Sequence, residues 1–193
     1  MPDVDPSVLE AARAGAGWAF ERIYGQLAPA VHGYLRSQGV DDPEDAVNDV
    51  FLRVFGAIGR FDGSPTAFRS WVFAIAHHLV VDRRRFVSRR PAAVATERLP
   101  EVPTAAVDDE VLGRFDASVV AGVLRLLTAD QRDVLLLRFV ADLSLEEVAQ
   151  AQGRSVGAVK AMQHRALASV RRLLEEISPE AVSPVAPTTL TPT

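Results

Sequence analysis

Apolar residues recur every three or four positions along most of the chain, a spacing that places them on one face of an α-helix. No stretch alternates apolar and polar residues for long enough to predict a strand, so the pattern predicts an all-α fold. A short helix is expected to begin at Asp5 and to end at Gly15. A longer helix is expected between Trp18 and Gly39, kinked or split at Pro29, because proline lacks the amide that an internal turn needs.

Two more helices are predicted before residue 90. One begins at Asp42-Pro43 and has an acidic first turn, which the positive end of the helix dipole favours. After a loop at residues 60–65, a long helix is expected from about Thr66 to Val87, ending in a block of arginines. The core-facing positions predicted on these two helices are Val47, Val50, Phe51, Val54, Phe55, Phe68, Val72, Ile75, Leu79 and Phe86.

The composition changes at residue 91 and again at residue 178. Residues 91–107 consist largely of proline, alanine, threonine and acidic residues, and their prolines prevent a continuous helix, so this segment is predicted to be a flexible linker. Helical spacing resumes after it. The sequence therefore predicts two helical domains, residues 1–90 and 108–177, followed by a disordered Pro/Thr-rich tail at residues 178–193.

The most specific local pattern lies between residues 143 and 174. Ser144 and Glu147 stand three residues apart before an apolar stripe, the spacing of a capping box that begins a helix. Gly153 is placed where a left-handed residue ends such a helix sharply, and Ser155 is placed to cap the next one. A capped helix that ends at a left-handed glycine and is followed at once by a second capped helix predicts a helix-turn-helix.

The second helix of such a motif enters the major groove of DNA, so its exposed side chains face base edges and phosphates. Small residues at its start let free backbone amides approach a phosphate. Lys160 and Arg165 can reach guanine or backbone oxygens. Arginines later on the helix add phosphate contacts that weaken with salt. The predicted contact residues are Arg154, Ser155, Gly157, Ala158, Lys160, Ala161, His164, Arg165, Arg171 and Arg172. The alternative is an amphipathic hairpin whose basic face is only solvated.

The predicted helix from Thr66 combines aromatic side chains with a basic end. Unpaired bases stack on rings while arginines hold the backbone, so this composition favours single-stranded nucleic acid, with burial of the rings in the core as the alternative. The candidate contacts are Trp71, His77, His78, Arg83, Arg84 and Arg85. Adjacent histidines project about 100° apart on a helix, so His77 and His78 do not predict a shared metal site.

Composition excludes several classes of function. The 193 residues include no cysteine, which rules out disulfides, a cysteine nucleophile and a thiolate zinc site. No catalytic Ser/His/Asp grouping and no glycine-rich phosphate loop is present, so no enzyme, cofactor, metal or small-molecule substrate is expected. The net charge of −4 conceals two basic blocks, which suggest two contacts with a polyanion. No apolar run spans a bilayer and the first residues lack signal-peptide features, so a cytoplasmic protein without membrane insertion is expected.

Four stretches carry a further likeness: residues 19–24, residues 45–54, residues 70–76 with Asp82, and residues 127–138 running into the helix-turn-helix. In this order and spacing the chain resembles the extracytoplasmic-function (ECF) group of bacterial RNA polymerase sigma factors. The resemblance implies an N-terminal domain like sigma region 2 and a C-terminal domain like sigma region 4.

The same resemblance implies the partners. It implies that the helix at residues 45–55 docks on core RNA polymerase, that the N-terminal domain melts and holds the −10 promoter element, and that the helix-turn-helix recognises the −35 element. The implied polymerase contacts are Asp45, Asn48, Asp49, Phe51 and Arg53. An anti-sigma factor is an expected further partner. Two rival functions remain open: a conventional helix-turn-helix regulator whose N-terminal domain senses a ligand or dimerises, and a helical adaptor that binds only proteins.

Overall fold

The structure, a computed structural model, describes residues 3–88 and 117–177. Within these two ranges the regular elements are all helices, in agreement with the predicted all-α fold. The predicted linker at residues 91–107 and the predicted tail at residues 178–193 lie outside the described residues.

The N-terminal domain contains four described α-helices, with a short 3₁₀ helix (Ile58–Arg60) between the third and the fourth. They are α1 (Pro6–Arg13), α2 (Gly17–Ser37), α3 (Pro43–Ala57) and α4 (Pro65–Ser88). The described part of the C-terminal domain consists of α5 (Ala117–Leu126), α6 (Ala129–Phe139), α7 (Leu145–Gln152) and α8 (Val156–Ile177).

The starts of α1 and α3 follow the predicted capping. The Asp5 carboxylate accepts the amide of Ser7 at 2.8 Å, and the Asp42 carboxylate accepts the amide of Asp45 at 3.0 Å. Of the two outcomes expected at Pro29, a kink or a split, the split is wrong, since α2 continues through this residue to Ser37. The neighbouring side chains are buried on the core face, and this packing outweighs the local cost of the missing amide.

The N-terminal core lies between α1, α2, α3 and α4, and the predicted stripes of α3 and α4 face it. Tyr34 of α2 is fully buried there, with its ring edge-on to Phe73 of α4 at 5.9 Å. One predicted core position was wrong: Phe86 is 59% exposed. Among the residues of α4 whose exposure is described, Val80 is the last buried one. Phe86 therefore continues the helical spacing of apolar residues but lies beyond the end of the core.

In the C-terminal domain, side chains cap both the start of a helix and the end of one. Thr128 and Gln131 form a capping box at the start of α6. Arg132 donates from Nε to the carbonyl of Leu124 at 2.7 Å and from Nη2 to the carbonyl of Arg125 at 3.1 Å, so it satisfies carbonyls that α5 leaves unpaired at its end. A separate apolar cluster joins α5, α6 and α8.

The two domains pack against each other. Helix α7 lies along α4, and α6 contacts α2. The apolar cluster of the N-terminal domain continues without a break into the C-terminal domain. The C-terminal side chains in this shared cluster are Val134, Leu136, Leu137, Ala141, Leu143, Val148, Ala149 and Val159.

Candidate nucleic-acid interfaces

The predicted helix-turn-helix is formed by α7 and α8. The Ser144 hydroxyl accepts the amide of Glu147 at 3.1 Å, and the Glu147 carboxylate accepts the amide of Ser144 at 2.7 Å. Gly153 adopts the left-handed conformation, with φ of +62°, and ends α7. The Ser155 hydroxyl then accepts the amide of Ala158 at 3.2 Å at the start of α8. The predicted capping box, the left-handed glycine and the second cap are therefore all confirmed.

One side of α8 is buried and the other is exposed. Val159 and Ala166 are fully buried on the inner side, and Met162 is partly buried. The predicted contact residues on this helix all lie on the exposed part of its surface: Gly157, Ala158, Lys160, Ala161, His164, Arg165, Arg171 and Arg172. The structure thus places these residues where a duplex can reach them.

Intramolecular contacts hold some of these basic side chains. Arg154, in the turn, forms a salt bridge with Asp130 of α6 at 2.9 Å, and Arg172 forms one with Glu176 at 3.0 Å. Both pairs are solvent-exposed, so each contributes little to stability and can exchange for a phosphate. Lys160, by contrast, has no ion-pair partner among the described residues.

A cluster of three aromatic rings occurs at the start of α4. The Trp71 ring lies 4.8 Å from the Phe61 ring and 5.6 Å from the Phe68 ring, and these last two are 5.3 Å apart. Phe68 is fully buried and Trp71 is partly buried. Both interpretations offered for Trp71 thus have support, since one part of the ring packs on the core and another part remains open.

The loop that carries Phe61 is held by a residue that sequence reasoning missed. Arg13 of α1 donates from Nη2 to the carbonyl of Gly63 at 2.8 Å, and its guanidinium lies 5.5 Å from the centre of the Phe61 ring. Nothing local in the sequence of α1 signals this contact, because 50 residues separate Arg13 from Gly63. Arg13 therefore ties the first helix to the loop before α4.

A cleft of about 590 Å³ opens beside this loop. Its lining residues on the N-terminal side include Phe61, Asp62 and Trp71, and those on the C-terminal side include Glu147 and Gln150 of α7. The cleft thus lies between the two domains.

The basic end of α4 does not present its predicted residues on one open face. His78 is exposed, whereas Arg83 lies 3.4 Å from the carboxylate of Asp49 and Arg85 lies 3.9 Å from that of Asp82. Arg84 donates to the side-chain oxygen of Gln38 at the end of α2. His77 is turned toward the C-terminal domain.

His77 belongs to a buried contact between the domains, which we name the Asp133 junction. Asp133 of α6 is 3% exposed. Its Oδ1 accepts hydrogen bonds from the Tyr34 hydroxyl at 2.5 Å and the Gln38 amide at 2.6 Å. Its Oδ2 accepts one from the Gln152 amide at 2.7 Å and lies 2.8 Å from Nδ1 of His77. Four polar groups, three of them from the N-terminal domain, therefore surround one carboxylate.

These contacts change the acidity of Asp133. Burial alone raises the pKa of its carboxyl, but the charge and close approach of His77 and the hydrogen bonds from Tyr34 and Gln152 outweigh burial and hold the pKa below its ordinary value. The junction therefore contains a buried carboxylate anion rather than a neutral acid.

The proposed docking residues on α3 are mostly exposed. Asp45, Asn48, Asp49 and Arg53 all face solvent. Phe51 is the exception: it is 2% exposed, and its ring lies 4.8 Å from that of Tyr24 and 5.6 Å from that of Phe55.

The apolar stripe of α3 thus packs on the protein's own core rather than facing a partner. Exposed apolar surface near it comes from residues that the sequence analysis did not select, namely Leu52 of α3, 72% exposed, and Trp18 at the start of the adjacent α2, 57% exposed. Exposed apolar side chains of this size are typical of protein contact surfaces.

In residues 3–88 and 117–177, no three His, Asp or Glu side chains are grouped so that they could hold a metal ion. The helices described in these ranges are also too short or too polar to span a membrane.

Comparison with known proteins identifies the family. The model of Sigma-70 region 2 matches residues 20–90, and the model of Sigma-70 region 4 matches residues 123–172. The ECF RNA polymerase sigma factor SigD of Mycobacterium tuberculosis is 33% identical over 180 residues, which cover 89% of this chain and 82% of that protein. The chain belongs to the ECF family of RNA polymerase sigma factors. Sigma factors are non-catalytic initiation factors, so the expectation that the protein is not an enzyme is confirmed.

Further similarities extend over most of this sigma factor. The ECF RNA polymerase sigma factor BldN of Streptomyces coelicolor is 32% identical over 173 residues, and the match spans 88% of this chain but only 65% of the length of that protein. The structure of CnrH in complex with the cytosolic domain of CnrY matches 89% of this chain and 97% of CnrH, with 28% identity and a TM-score of 0.66. A second structure, RpoE of Bartonella quintana in complex with the anti-sigma factor NepR, matches 81% of this chain and 96% of that one. Its 23% identity and TM-score of 0.64 show a shared fold.

Proposed function

We propose that this sigma factor binds core RNA polymerase and directs it to a specific set of promoters. The observation that carries the proposal is the occurrence in one chain of a helix-turn-helix with an exposed basic face and a second domain with an aromatic loop and a basic helix. A protein that contacts two stretches of one promoter needs two such surfaces.

We propose that the C-terminal domain, residues 108–177, recognises the −35 element through α8. Lys160 and Arg165 lie on its exposed face with small residues at its start, which suits base edges and phosphates in a major groove. Arg171 and Arg172 lie later on the helix and are assigned to phosphate contacts, which add affinity without sequence preference.

The N-terminal domain, residues 1–90, is proposed to melt and hold the −10 element. Trp71 and Phe61 line the cleft beside α4, where an unpaired base has a ring to stack on. His78 and the arginines at the end of α4 supply hydrogen-bond donors and positive charge along the same helix. His77 joins this set only when it is free of Asp133.

We propose that α3 is the polymerase-docking helix. Asp45, Asn48, Asp49 and Arg53 supply polar contacts, and the exposed Leu52 supplies an apolar one. Phe51, being buried, supports the helix from behind rather than touching the partner. A surface of this kind, apolar at its centre with charged neighbours, is typical of a specific protein interface.

An anti-sigma factor is proposed as a further partner. CnrH and the Bartonella quintana RpoE are both found in complexes, the first with the cytosolic domain of CnrY and the second with the anti-sigma factor NepR. A protein that covered α3 would compete with polymerase for it. We place the action of the chain in the cytoplasm, where bacterial polymerase and promoter DNA are found together.

The net charge of −4 fits a protein that depends on polymerase for much of its affinity for DNA. Polymerase supplies much of the affinity and holds the two DNA-contacting domains at the right separation, so neither domain has to bind strongly alone. The free chain should bind promoter duplex weakly.

Transcription in vitro provides the test. The purified chain is added to core RNA polymerase and a genomic promoter library, and discrete transcription start sites that depend on the chain are expected. The rival regulator predicts instead tight binding to a duplex with two symmetric half-sites in the absence of polymerase. The adaptor hypothesis predicts that Arg165→Ala leaves transcription unchanged.

A further inference from the structure

The segment before α2 contacts the loop that carries Phe61. Residues 3–13, which we name the N-terminal brace, consist of a short non-helical start and α1. Helix α1 packs on α2 and on the 3₁₀ helix that leads into the loop. The apolar side chains of the brace are buried in the core, namely Val4, Val8, Leu9 and Ala12. The Sigma-70 region 2 model begins at residue 20, so the brace precedes the part of the fold that this family model describes.

One end of the brace holds the middle of the loop. Arg13 donates from Nη2 to the carbonyl of Gly63 at 2.8 Å, and its guanidinium lies 5.5 Å from the centre of the Phe61 ring. The same ring lies against Gly63, since a Cβ atom there would be only 2.5 Å from the nearest ring carbon. Arg13 therefore contacts both the backbone of the loop and the aromatic ring that the loop carries.

The other end of the brace holds the first turns of α4. The Thr66 hydroxyl donates to Oδ2 of Asp3 at 3.0 Å, and the Arg69 guanidinium lies 3.8 Å from Oδ1 of the same carboxylate. Asp3 is also joined to α2, because the Gln26 amide donates to its carbonyl at 3.3 Å. The two ends of the brace thus contact the chain on both sides of the point where the loop becomes α4.

Two local hydrogen bonds lie at the ends of the loop. The amide of Phe61 donates to the carbonyl of Ile58 at 3.1 Å, and the Ser64 hydroxyl accepts the amide of Ala67 at 3.2 Å. Gly63 lies between them, and glycine has more backbone freedom than any other residue. Arg13 therefore restrains the loop where its own sequence restrains it least. A ring that is already held in place stacks on a base at a lower cost in entropy than a ring on a mobile loop.

We propose that the N-terminal brace belongs to the −10-binding machinery, and that Arg13 is a positioning residue that holds Phe61 where an unpaired base of the promoter stacks on its ring. The inference deepens the proposed role of the N-terminal domain and rests on it. Arg13 does not touch DNA but acts through Phe61. Asp3 acts in the same direction, because it fixes the start of α4 to the segment that carries Arg13.

The test compares two affinities of the complex between core polymerase and the full-length chain. Fluorescence anisotropy measures its binding to a single-stranded oligonucleotide from the −10 region, the −10 strand, and to a duplex that carries only the −35 element. Both come from a promoter that the transcription assay identifies. A variant that merely lowers the amount of folded chain weakens both affinities alike, whereas a displaced ring weakens only the first.

One variant is made at each end of the brace, with a matched control for each. Arg13→Ala should weaken binding of the −10 strand by about tenfold, the typical effect of losing one stack between a base and an aromatic ring, and leave binding of the −35 duplex unchanged. Asp3→Ala should have the same selective effect by a smaller factor. Arg22→Ala removes the same charge as Arg13→Ala at an exposed position on α2, and Glu10→Ala removes an exposed acid from the brace itself, so neither should change the affinities.

A double-mutant cycle shows whether Arg13 acts through Phe61. Phe61→Ala should weaken binding of the −10 strand, and adding Arg13→Ala to it should cost nothing more, because the ring that Arg13 positions is then absent. Losses that add would show that Arg13 contacts DNA itself, which overturns the proposal. Arg13→Lys keeps a charge near the ring but lacks the planar fork, so its affinity should lie between those of the wild-type chain and Arg13→Ala. If circular dichroism shows that Arg13→Ala is unfolded, Arg13→Lys replaces it in the cycle.

The position of the ring can also be measured without DNA or polymerase. The chain has two tryptophans, so Trp18→Phe leaves Trp71 as the single fluorescent reporter. The Trp71 ring lies 4.8 Å from that of Phe61. Release of the Phe61 ring should therefore expose Trp71, and Arg13→Ala in this background should increase the quenching of its fluorescence by acrylamide.

The proposal is overturned if Arg13→Ala or Asp3→Ala keeps wild-type affinity for the −10 strand, if either weakens the −35 duplex equally, or if the quenching of Trp71 is unchanged in Arg13→Ala. Failure of the underlying function looks different. A wild-type chain that gives no start sites with polymerase removes the proposed sigma activity, and the brace proposal with it. If Phe61→Ala loses affinity for the −10 strand and Arg13→Ala does not, only the brace proposal is overturned.

Discussion

The hydroxyl of Tyr34 donates a hydrogen bond to Oδ1 of Asp133 at 2.5 Å, although the two residues are 99 positions apart and belong to different domains. Burial and the negative charge of Asp133 both raise the pKa of Tyr34 well above its ordinary value, so the phenol keeps its proton and remains a donor. A hydrogen bond to a buried carboxylate is among the stronger kinds in proteins.

Tyr34→Phe should therefore destabilise the folded chain by about 1.5–3 kcal/mol, the typical value of a hydrogen bond to a charged group. Urea unfolding followed by circular dichroism measures the change. Tyr24→Phe is the control, because the Tyr24 hydroxyl donates at 3.2 Å to Asn48 at the surface and its loss should cost less than about 0.5 kcal/mol. Equal losses for the two variants would contradict the role assigned to the Asp133 junction.

The pH dependence of the free energy of unfolding should reveal the contribution of ionised Asp133. The folded-state pKa of Asp133 lies below its ordinary value of 3.8, so the stabilisation is complete above about pH 3.8 and is lost as the pH falls through the folded-state value. The difference in the free energy of unfolding between the wild-type chain and Asp133→Asn should therefore shrink as the pH is lowered below 4. Urea titrations at several pH values measure it, and a difference that grows toward acid pH would show that Asp133 is not held as an anion.

A charge reversal on α3 tests the docking helix. Asp49→Lys should weaken binding to core polymerase by tenfold or more, since a like charge replaces a complementary one at a specific interface. The fold should survive, because Asp49 is exposed and its 3.4 Å pair with Arg83 is worth at most about 1 kcal/mol. Asp41→Lys is the control, because it makes the same change in charge at an exposed position outside α3. If both variants bind polymerase like the wild-type chain, α3 is not the docking site.

Substitutions on α8 separate recognition of bases from contact with phosphates. Lys160→Ala and Arg165→Ala should each cost about 1–3 kcal/mol of discrimination between the −35 element and a mutated element if their side chains contact bases. Arg171→Ala should weaken binding to both sequences alike and reduce the salt dependence. Binding of the polymerase complex to both promoters over a range of salt concentrations measures these effects. Unchanged discrimination in both of the first two variants would assign α8 to phosphate contact alone.

The elements of this fold were predictable where the signal is local. Ser144 and Glu147 specify the start of α7 through a contact across three residues, and Gly153 specifies its end, so reading these positions one by one gave the right turn. The helix is not split at Pro29, because the packing around this residue is set by residues far away in the chain. Local pattern describes what a segment prefers, and the tertiary contacts decide whether that preference holds.

The candidate sites were predictable only in part for the same reason. The exposed face of α8 follows from helical spacing, which places Lys160 and Arg165 about 100° and about 120° to either side of the buried Val159. The contact between His77 and Asp133 does not, because it depends on how two separate domains pack. Arg13, which reaches a loop 50 residues later, was missed for that reason too.

The loop before α4 is tightly packed at Gly63. A Cβ atom on Gly63 would lie 2.5 Å from the nearest carbon of the Phe61 ring, well inside contact distance. The ring cannot easily move away, because Phe68, Trp71 and the guanidinium of Arg13 pack around it.

Gly63→Ala should therefore destabilise the protein by about 1–3 kcal/mol, the usual cost of overpacking. It should also reduce opening of the −10 region by the polymerase complex, measured by permanganate reactivity of unpaired thymines, because the displaced ring belongs to the wall of the cleft. Gly56→Ala is the matched control: nothing lies within 4 Å of an added Cβ there, and alanine in a helix should stabilise by about 0.5–1 kcal/mol. A Gly63→Ala protein as stable and as active in promoter opening as the Gly56→Ala protein would show that the position of the Phe61 ring does not matter to the site.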